Sequence, residues 1–296
     1  MALDRSRLLK PIKKLEKLVN DLDRQPTPDK VHDLRTSTRR LEAIFEALSL
    51  DSQGRGKSML KDLGRLRKRA GKVRDMDVLT SYASTVHLDG EEECTVQLLE
   101  HLGAQRRRYA KKLYGELQRR RPALRKDFRR TPATLAKLIR DNYQAPKGRT
   151  VVATAAGTAV ELAAQLAIPP HLGREDLHPY RLKVKDLRDV LQMATGADRA
   201  KFVDDLGEVK DAIGEWHDWE ELVSIAPKAL DHGSRCQLMA EYKRVAKVKY
   251  EHALTLVQTL RKKYLRHSGP RKKGASAASP KIPGAPVWEA IAMLAA

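Results

Sequence analysis

Val31-His32-Asp33-Leu34-Arg35-Thr36-Ser37-Thr38-Arg39-Arg40-Leu41 occurs twice in this chain, in altered form. The second copy is Leu177-His178-Pro179-Tyr180-Arg181-Leu182-Lys183-Val184-Lys185-Asp186-Leu187. Both read apolar-His-x-x-Arg-x-x-x-(Arg/Lys)-x-Leu. At about 100° per residue, a helix sorts each copy into two stripes. Val31, Leu34, Leu41, Phe45 and Leu48 form an apolar stripe in the first copy, and Leu177, Tyr180, Leu187 and Leu191 in the second. His32, Arg35 and Arg39 form a basic stripe beside the first, and His178, Arg181 and Lys185 beside the second. A solvated helix face usually mixes signs. These stripes hold only basic groups and a histidine, spread over about 10 Å of helix axis. Such a row of donors suits a repeating anion.

The repetition extends outward from the histidine helices. Phe202-Val203-Asp204-Asp205-Leu206-Gly207 matches Met59-Leu60-Lys61-Asp62-Leu63-Gly64, displaced by 143. Gly214-Glu215-Trp216-His217-Asp218 matches Gly71-Lys72-Val73-Arg74-Asp75 at the same displacement. Lys243-Arg244-Val245-Ala246-Lys247 matches Arg107-Arg108-Tyr109-Ala110-Lys111, displaced by 136. Ordered blocks at nearly constant displacement imply a duplicated helical unit. The expected fold is all-α, two four-helix bundles related by pseudo-two-fold symmetry around a basic central groove. The halves are expected at about 1–143 and 151–267, with 144–150 as a linker and 268–296 as a flexible tail ending in a short amphipathic segment.

Individual helices follow from periodicity and breakers. An opening helix over about 4–24 carries Leu8, Ile12, Leu15, Val19 and Leu22, with Pro11 in its early turns. Thr27 is placed to cap the histidine helix, with Pro28 at its first position. A third helix is predicted over 57–70, stopped by Gly71 as a C-cap. A fourth opens near 72–79, where Asp75 and Asp77 would face the positive helix end. A long helix runs from the glutamates at 91–93 to about Arg121, where Pro122 and then Pro132 break it, with a further helix between 132 and 142. Val151–Ala167 is expected to be an alanine-rich helix equivalent to the first.

Lys and Arg number 58 against 38 Asp and Glu, a formal charge of +20. That field calls for an anionic partner: nucleic acid, an acidic membrane surface or inorganic polyphosphate. Aromatic residues are only 5% of the chain, which argues against stacking single-stranded bases. Cys94 and Cys236 make neither a disulfide framework nor a zinc pattern, and they read as ordinary helix residues in a reducing cytoplasm. The N-terminus reads as no signal peptide, and no apolar run is long enough to span a bilayer.

Matched basic residues are the expected ligands of the anion. They pair His32 with His178, Arg35 with Arg181, Arg39 with Lys185, Arg67 with Lys210, and Arg74 with His217. From the long helices come Arg107 with Lys243, Arg108 with Arg244, and Lys111 with Lys247. Arg40 and Arg188 complete the set. Arg40 is the weaker member, because Asp186 stands opposite it in the second copy. Arginine meets a phosphate oxygen as a planar fork, lysine as a point charge, and histidine as a donor that gains charge near neutral pH.

The His-x-x-Arg repeats, the Gly-x-Val-Arg-Asp-x-Asp segment and the basic long helices resemble the CHAD family, the conserved-histidine α-helical domain. The likeness covers roughly residues 4–267, within a domain drawn at 1–267. The resemblance implies an all-α fold of two four-helix bundles that binds inorganic polyphosphate along a basic central surface. It also implies association with polyphosphate granules and their proteins. The triphosphate tunnel domain of the CYTH type, fused to some members, has no counterpart here. His217 in place of Arg74 makes that corner of the second half more pH-dependent.

The expected function is therefore non-catalytic capture of long-chain polyphosphate in the cytoplasm or at its granules. No cofactor, resident metal or catalytic residue is expected, and nucleic acid only as a weaker polyanion. A basic helical nucleic-acid binder is the main rival, although no recognition motif is legible. A metal-dependent polyphosphate or triphosphate hydrolase is the enzymatic rival. It needs carboxylates facing the phosphates, and the acidic residues do not recur within the basic stripes. Asp75, Asp77 and Asp218 read as cap or salt-bridge groups instead.

Overall fold

The structure is a computed structural model that describes residues 5–47, 54–144, 159–168, 171–193, 200–231 and 236–265. Among the described residues it is all-α: helices and short connections, with no strand. The helices are α1 (Arg5–Asp21), α2 (Pro28–Ala47), α3 (Gly54–Ala83), α4 (Glu92–Gln144), α5 (159–167), α6 (Arg174–Met193), α7 (Ala200–Ile225) and α8 (Gln237–Leu260). A 3₁₀ turn at Ala226–Lys228 follows α7, and a π turn at Arg261–Leu265 follows α8. Of the linker read from the sequence, Gln144 ends α4, and residues 145–150 and the tail lie outside the described residues.

The chain divides into two compact units. The first is Ala2–Gly148 with Glu221–Tyr242, and the second is Arg149–Glu220 with Lys243–Ala296. In the first unit α1 packs on α2 and α4, and α3 packs on the same two helices. That closed ring of contacts is a four-helix bundle. Its core joins Ile12, Leu15 and Val19 of α1, Val31, Leu34 and Leu41 of α2, and the apolar faces of α3 and α4. Thr27 caps α2 as the sequence suggested. The Lys30 N–H donates to Thr27 Oγ1 at 3.3 Å, and the Val31 N–H to the Thr27 carbonyl at 3.1 Å.

Three expected breaks, at Gly71, Pro122 and Pro132, are absent. α3 continues through Gly71, because its buried stripe does not stop there. Leu63, Leu66, Ala70, Val73, Met76 and Leu79 recur at three- and four-residue steps on both sides of the glycine. A glycine inside a helix costs about 1 kcal/mol, far less than the burial of several such side chains contributes. Asp75 and Asp77 therefore sit in a helix interior, not at a helix start. α4 likewise runs through Pro122 and Pro132. Leu113 and Leu117 before Pro122 enter the same core as Leu124 and Phe128 after it. The roughly 3 kcal/mol that an interior proline costs is outweighed by that continuous face. Pro11, too, lies at the seventh residue of α1, past the four N–H groups that have no helical partner.

In the second unit α5, α6, α7 and α8 all contribute to one core. Ala159, Ala163, Leu177, Tyr180, Leu187, Leu206, Ile213, Trp216, Ala253 and Val257 belong to it. α6 opens on a local cap, in which the Gly173 N–H donates to Asp176 Oδ2 at 2.8 Å.

An ion-pair cluster ties α4 to α3 in the first unit. Glu116 is buried and accepts from Arg120 Nε at 2.6 Å and from Arg119 at 2.5 Å, and Arg120 also reaches Asp62. Hydrogen bonding from Arg120 holds the Glu116 carboxyl below its ordinary range, against the opposing cost of burial. A carboxylate whose folded pKa is depressed adds stability above its unfolded pKa and loses it as pH falls through the folded value. Glu116→Gln should thus cost on the order of 1–3 kcal/mol at pH 7. The gap from wild type should close below about pH 4 in urea unfolding followed by circular dichroism. A pH-independent gap would show that the carboxylate charge is not what matters.

Candidate functional site

The expected ligands divide evenly between the two units, and each set is built on a helix that must first bury its apolar stripe. In the first unit, Val31, Leu34, Leu41 and Phe45 of α2 are buried, as are Ser37 and Thr38. Thr38 satisfies its hydroxyl by donating to the Leu34 carbonyl at 2.7 Å. This leaves His32 and Arg40 exposed, with Arg35 and Arg39 half-buried at the edge. The basic stripe thus lies where the periodicity placed it.

Its members do not behave alike. Arg35 crosses to α3, donating to the Gly71 carbonyl at 3.1 Å and to Asp75 Oδ1 at 3.2 Å. About a quarter of its side chain stays open, at 23%. Arg67 on α3 pairs with Glu42 of α2 at 3.2 Å. Arg74 is half-buried and has no ion-pair partner among the described residues. On α4, Arg107, Arg108 and Lys111 are exposed. Their neighbour Arg106 is committed to structure, donating to Asp77 at 2.5 Å and to the Pro26 carbonyl at 2.7 Å. Lys72 of α3 lies 5.5 Å from the centre of the Tyr109 ring of α4, a basic group that the pairing of repeats passed over because Glu215 stands opposite it.

The second unit is similar in plan. His178 is exposed and Arg181 half-buried, with Arg181 Nε donating to the Lys210 carbonyl of α7 at 3.1 Å. His178 and His217 bring their rings to 4.9 Å between centroids, so two residues 39 apart in sequence meet on one surface. Several expected ligands have acidic neighbours. Lys185 lies 3.0 Å from Asp186 and 3.7 Å from Asp189, Lys210 lies 2.7 Å from Asp211, and Lys247 lies 4.0 Å from Glu251. Arg188 is turned to the Val203 carbonyl at 3.4 Å. Lys243 and Arg244 are exposed.

One device recurs in both units. A Cβ added at Gly71 would lie 3.6 Å from Arg35 Nη1, and one added at Gly214 would lie 2.8 Å from Arg181 Nη2. The two arginines are equivalent in the repeat, and so are the two glycines. Each glycine is a place where a guanidinium lies against the neighbouring helix. Another pair follows the same rule with changed charge. Glu42 lies over Gly64, and Arg188, its equivalent, lies over Gly207.

The described residues thus form a basic helical protein in which each unit holds an arginine across a glycine, one turn from an exposed histidine. Residues 7–225 match the family model described as CHAD domain, and the chain belongs to that family. No curated protein and no solved structure gave a significant match.

The two glycines should respond differently to substitution. Gly71→Ala meets only ordinary contact and gains helix propensity, so it should stabilise the protein by about 0.5–1 kcal/mol. Gly214→Ala must push Arg181 off its carbonyl, losing a hydrogen bond worth about 0.5–1.5 kcal/mol and cancelling that gain. Urea midpoints of the two variants measure this directly. An equal rise in both would mean that the contact of Arg181 with Gly214 is unimportant.

Proposed function

We propose that this protein is a non-catalytic binder of long-chain inorganic polyphosphate. The observation that carries the reading is the repeated placement of an exposed histidine, His32 or His178, one turn from an arginine whose guanidinium is already oriented by a neighbouring helix. An oriented guanidinium loses less freedom on meeting an anion than a free one. Each unit also carries exposed basic groups: Arg40, Arg107, Arg108 and Lys111 in the first, and Lys243, Arg244 and Lys247 in the second. Membership in the CHAD domain family is consistent with polyphosphate as the anion. The formal charge of +20 provides long-range attraction to any polyanion, and the repeated stripes favour one with closely spaced, identical charges.

The duplication supports two equivalent sets of contacts, one per unit, each from the same helices of the repeat. Asp75 and Asp77 are paired with Arg35 and Arg106, which favours a structural role for them over metal-assisted hydrolysis. In the cell the same contacts would place the protein in the cytoplasm and at polyphosphate granules. No helix among the described residues is long and apolar enough to cross a membrane.

Calorimetric titration tests this reading. Long-chain polyphosphate should bind more tightly than duplex DNA, RNA or ATP, and more tightly with increasing chain length. Log K should fall with log salt by about 0.7 per phosphate neutralised. The variant should change exposed residues only, because Arg35 and Arg181 also hold helices together. His32, Arg107, Arg108 and Lys111 changed to Ala should lower affinity at least about tenfold with an unchanged unfolding midpoint. Equal binding to all polyanions, unaffected by the variant, would reduce the charge to a diffuse field. Phosphate release on adding Mg²⁺ would replace the reading with an enzymatic one.

A further inference from the structure

The two cysteines of the chain, 142 residues apart, meet in the first unit. Cys94 lies in the first turn of α4, and Cys236 immediately precedes α8. Their exposures are 2% and 3%. Glu91, the residue before α4, joins them. Its carboxylate accepts from the Cys236 thiol at 2.8 Å and from the Gln237 N–H at 3.1 Å. The two sulfurs and a carboxylate oxygen all lie within 4.8 Å of one another.

We propose that Glu91, Cys94 and Cys236 form a binding site for a thiophilic divalent cation, zinc first, which clips the start of α8 to the start of α4. Ligands around tetrahedral zinc stand about 3.8 Å apart, given Zn–S distances near 2.3 Å, so the observed cluster needs only a small contraction. The donor set selects the ion. Two soft thiolates disfavour calcium and magnesium, and the hard carboxylate disfavours monovalent copper. Zinc accepts both, and three protein ligands leave its fourth position to water.

Charge supports the same assignment. Two thiolates, one carboxylate and a divalent cation sum to a single negative charge. That charge sits at the N-termini of α4 and α8, whose free N–H groups favour an anion. Without a cation the Cys236 thiol donates a hydrogen bond to Glu91. Burial, first of all, pushes the Cys94 thiol up to about 12, with the neighbouring Cys236 and Glu91 acting in the same sense. Zinc binding breaks two S–H bonds, forms two Zn–S bonds and releases two protons to solvent, with no change of oxidation state. A disulfide would join the sulfurs and leave the carboxylate of Glu91 aimed at a neutral bridge, whereas a cation uses all three groups. A second tie already brings the same two segments together. The Gln97 amide donates to Asp231 at 2.9 Å and accepts from the Asp231 N–H at 3.3 Å. The site shares no residue with the polyphosphate ligands, so either proposal stands if the other fails.

The full chain, purified under reducing conditions and stripped with a chelator, would be titrated with Co²⁺ and monitored by absorption. The expected result is thiolate-to-cobalt charge transfer and tetrahedral bands that saturate at one equivalent and vanish on adding Zn²⁺. Zn²⁺ should raise the thermal midpoint. Cys94→Ser and Cys236→Ser should each abolish the charge-transfer band, and Glu91→Gln should weaken binding about tenfold or more. Because the serine variants alter a buried site, the wild-type titration and Glu91→Gln decide the matter if those variants fail to fold. A reduced wild type that shows no charge-transfer band overturns the proposal. So does a Cys94–Cys236 disulfide found by mass spectrometry in a protein whose reduced form takes no cobalt.

Discussion

An arginine laid across a glycine is the contact on which the arrangement of the histidine helices depends. α2 and α6 must bury one stripe, so the residues at its edge face the next helix at close range. Arg35 and Arg181 occupy that edge and reach backbone carbonyls of α3 and α7. A guanidinium lies closest to a neighbouring helix where the side chain beneath it is small or missing. Gly214 provides that gap for Arg181, where a Cβ would come within 2.8 Å of the guanidinium, whereas at Gly71 a Cβ would meet Arg35 at an ordinary contact distance of 3.6 Å. The same contact sets the angle of the guanidinium and the distance between helices. Helix packing and guanidinium orientation are thus one problem in this fold.

The charge of the protein has two populations. Some basic groups are spent on the scaffold: Arg106 on Asp77 and the Pro26 carbonyl, Arg120 on Glu116 and Asp62, Lys263 on Asp205. Burial works against ionised Asp205, yet hydrogen bonds from Lys263 and Tyr264 hold its carboxyl below the usual range. Others, such as Arg107, Arg108 and Lys243, stand exposed on the long helices. Net charge alone cannot separate these populations. Within one helix the i,i+4 spacing reports a pair such as Arg120–Glu116, but no such rule reports the pairs made between helices, Arg106–Asp77, Arg120–Asp62 and Lys263–Asp205.

The misread helix ends have a common physical origin. Gly71, Pro122 and Pro132 are genuine local breakers, worth about 1–3 kcal/mol each. Val73 to Leu79 beyond the glycine, and Leu124 and Phe128 beyond the first proline, continue the buried faces that precede them. Reading the apolar period across each breaker, and not up to it, would have joined the segments. Cys94 and Cys236 carried no such signal. Their proximity is created by the return of residues 221–242 to the first unit, a long-range fact with no local trace.

From the sequence alone came the all-α class, the family, the cap at Thr27 and the two faces of each histidine helix. These follow from periods and pairings that act within a few residues, and from repeats visible as text. Tertiary structure alone decided which arginines are anchored and which are open. It decided also that His178 meets His217, and that Glu91 meets two cysteines from distant segments. Those outcomes depend on which helix lies against which at distances of a few ångströms. Only the buried core, by fixing the approach of whole helices, sets such distances.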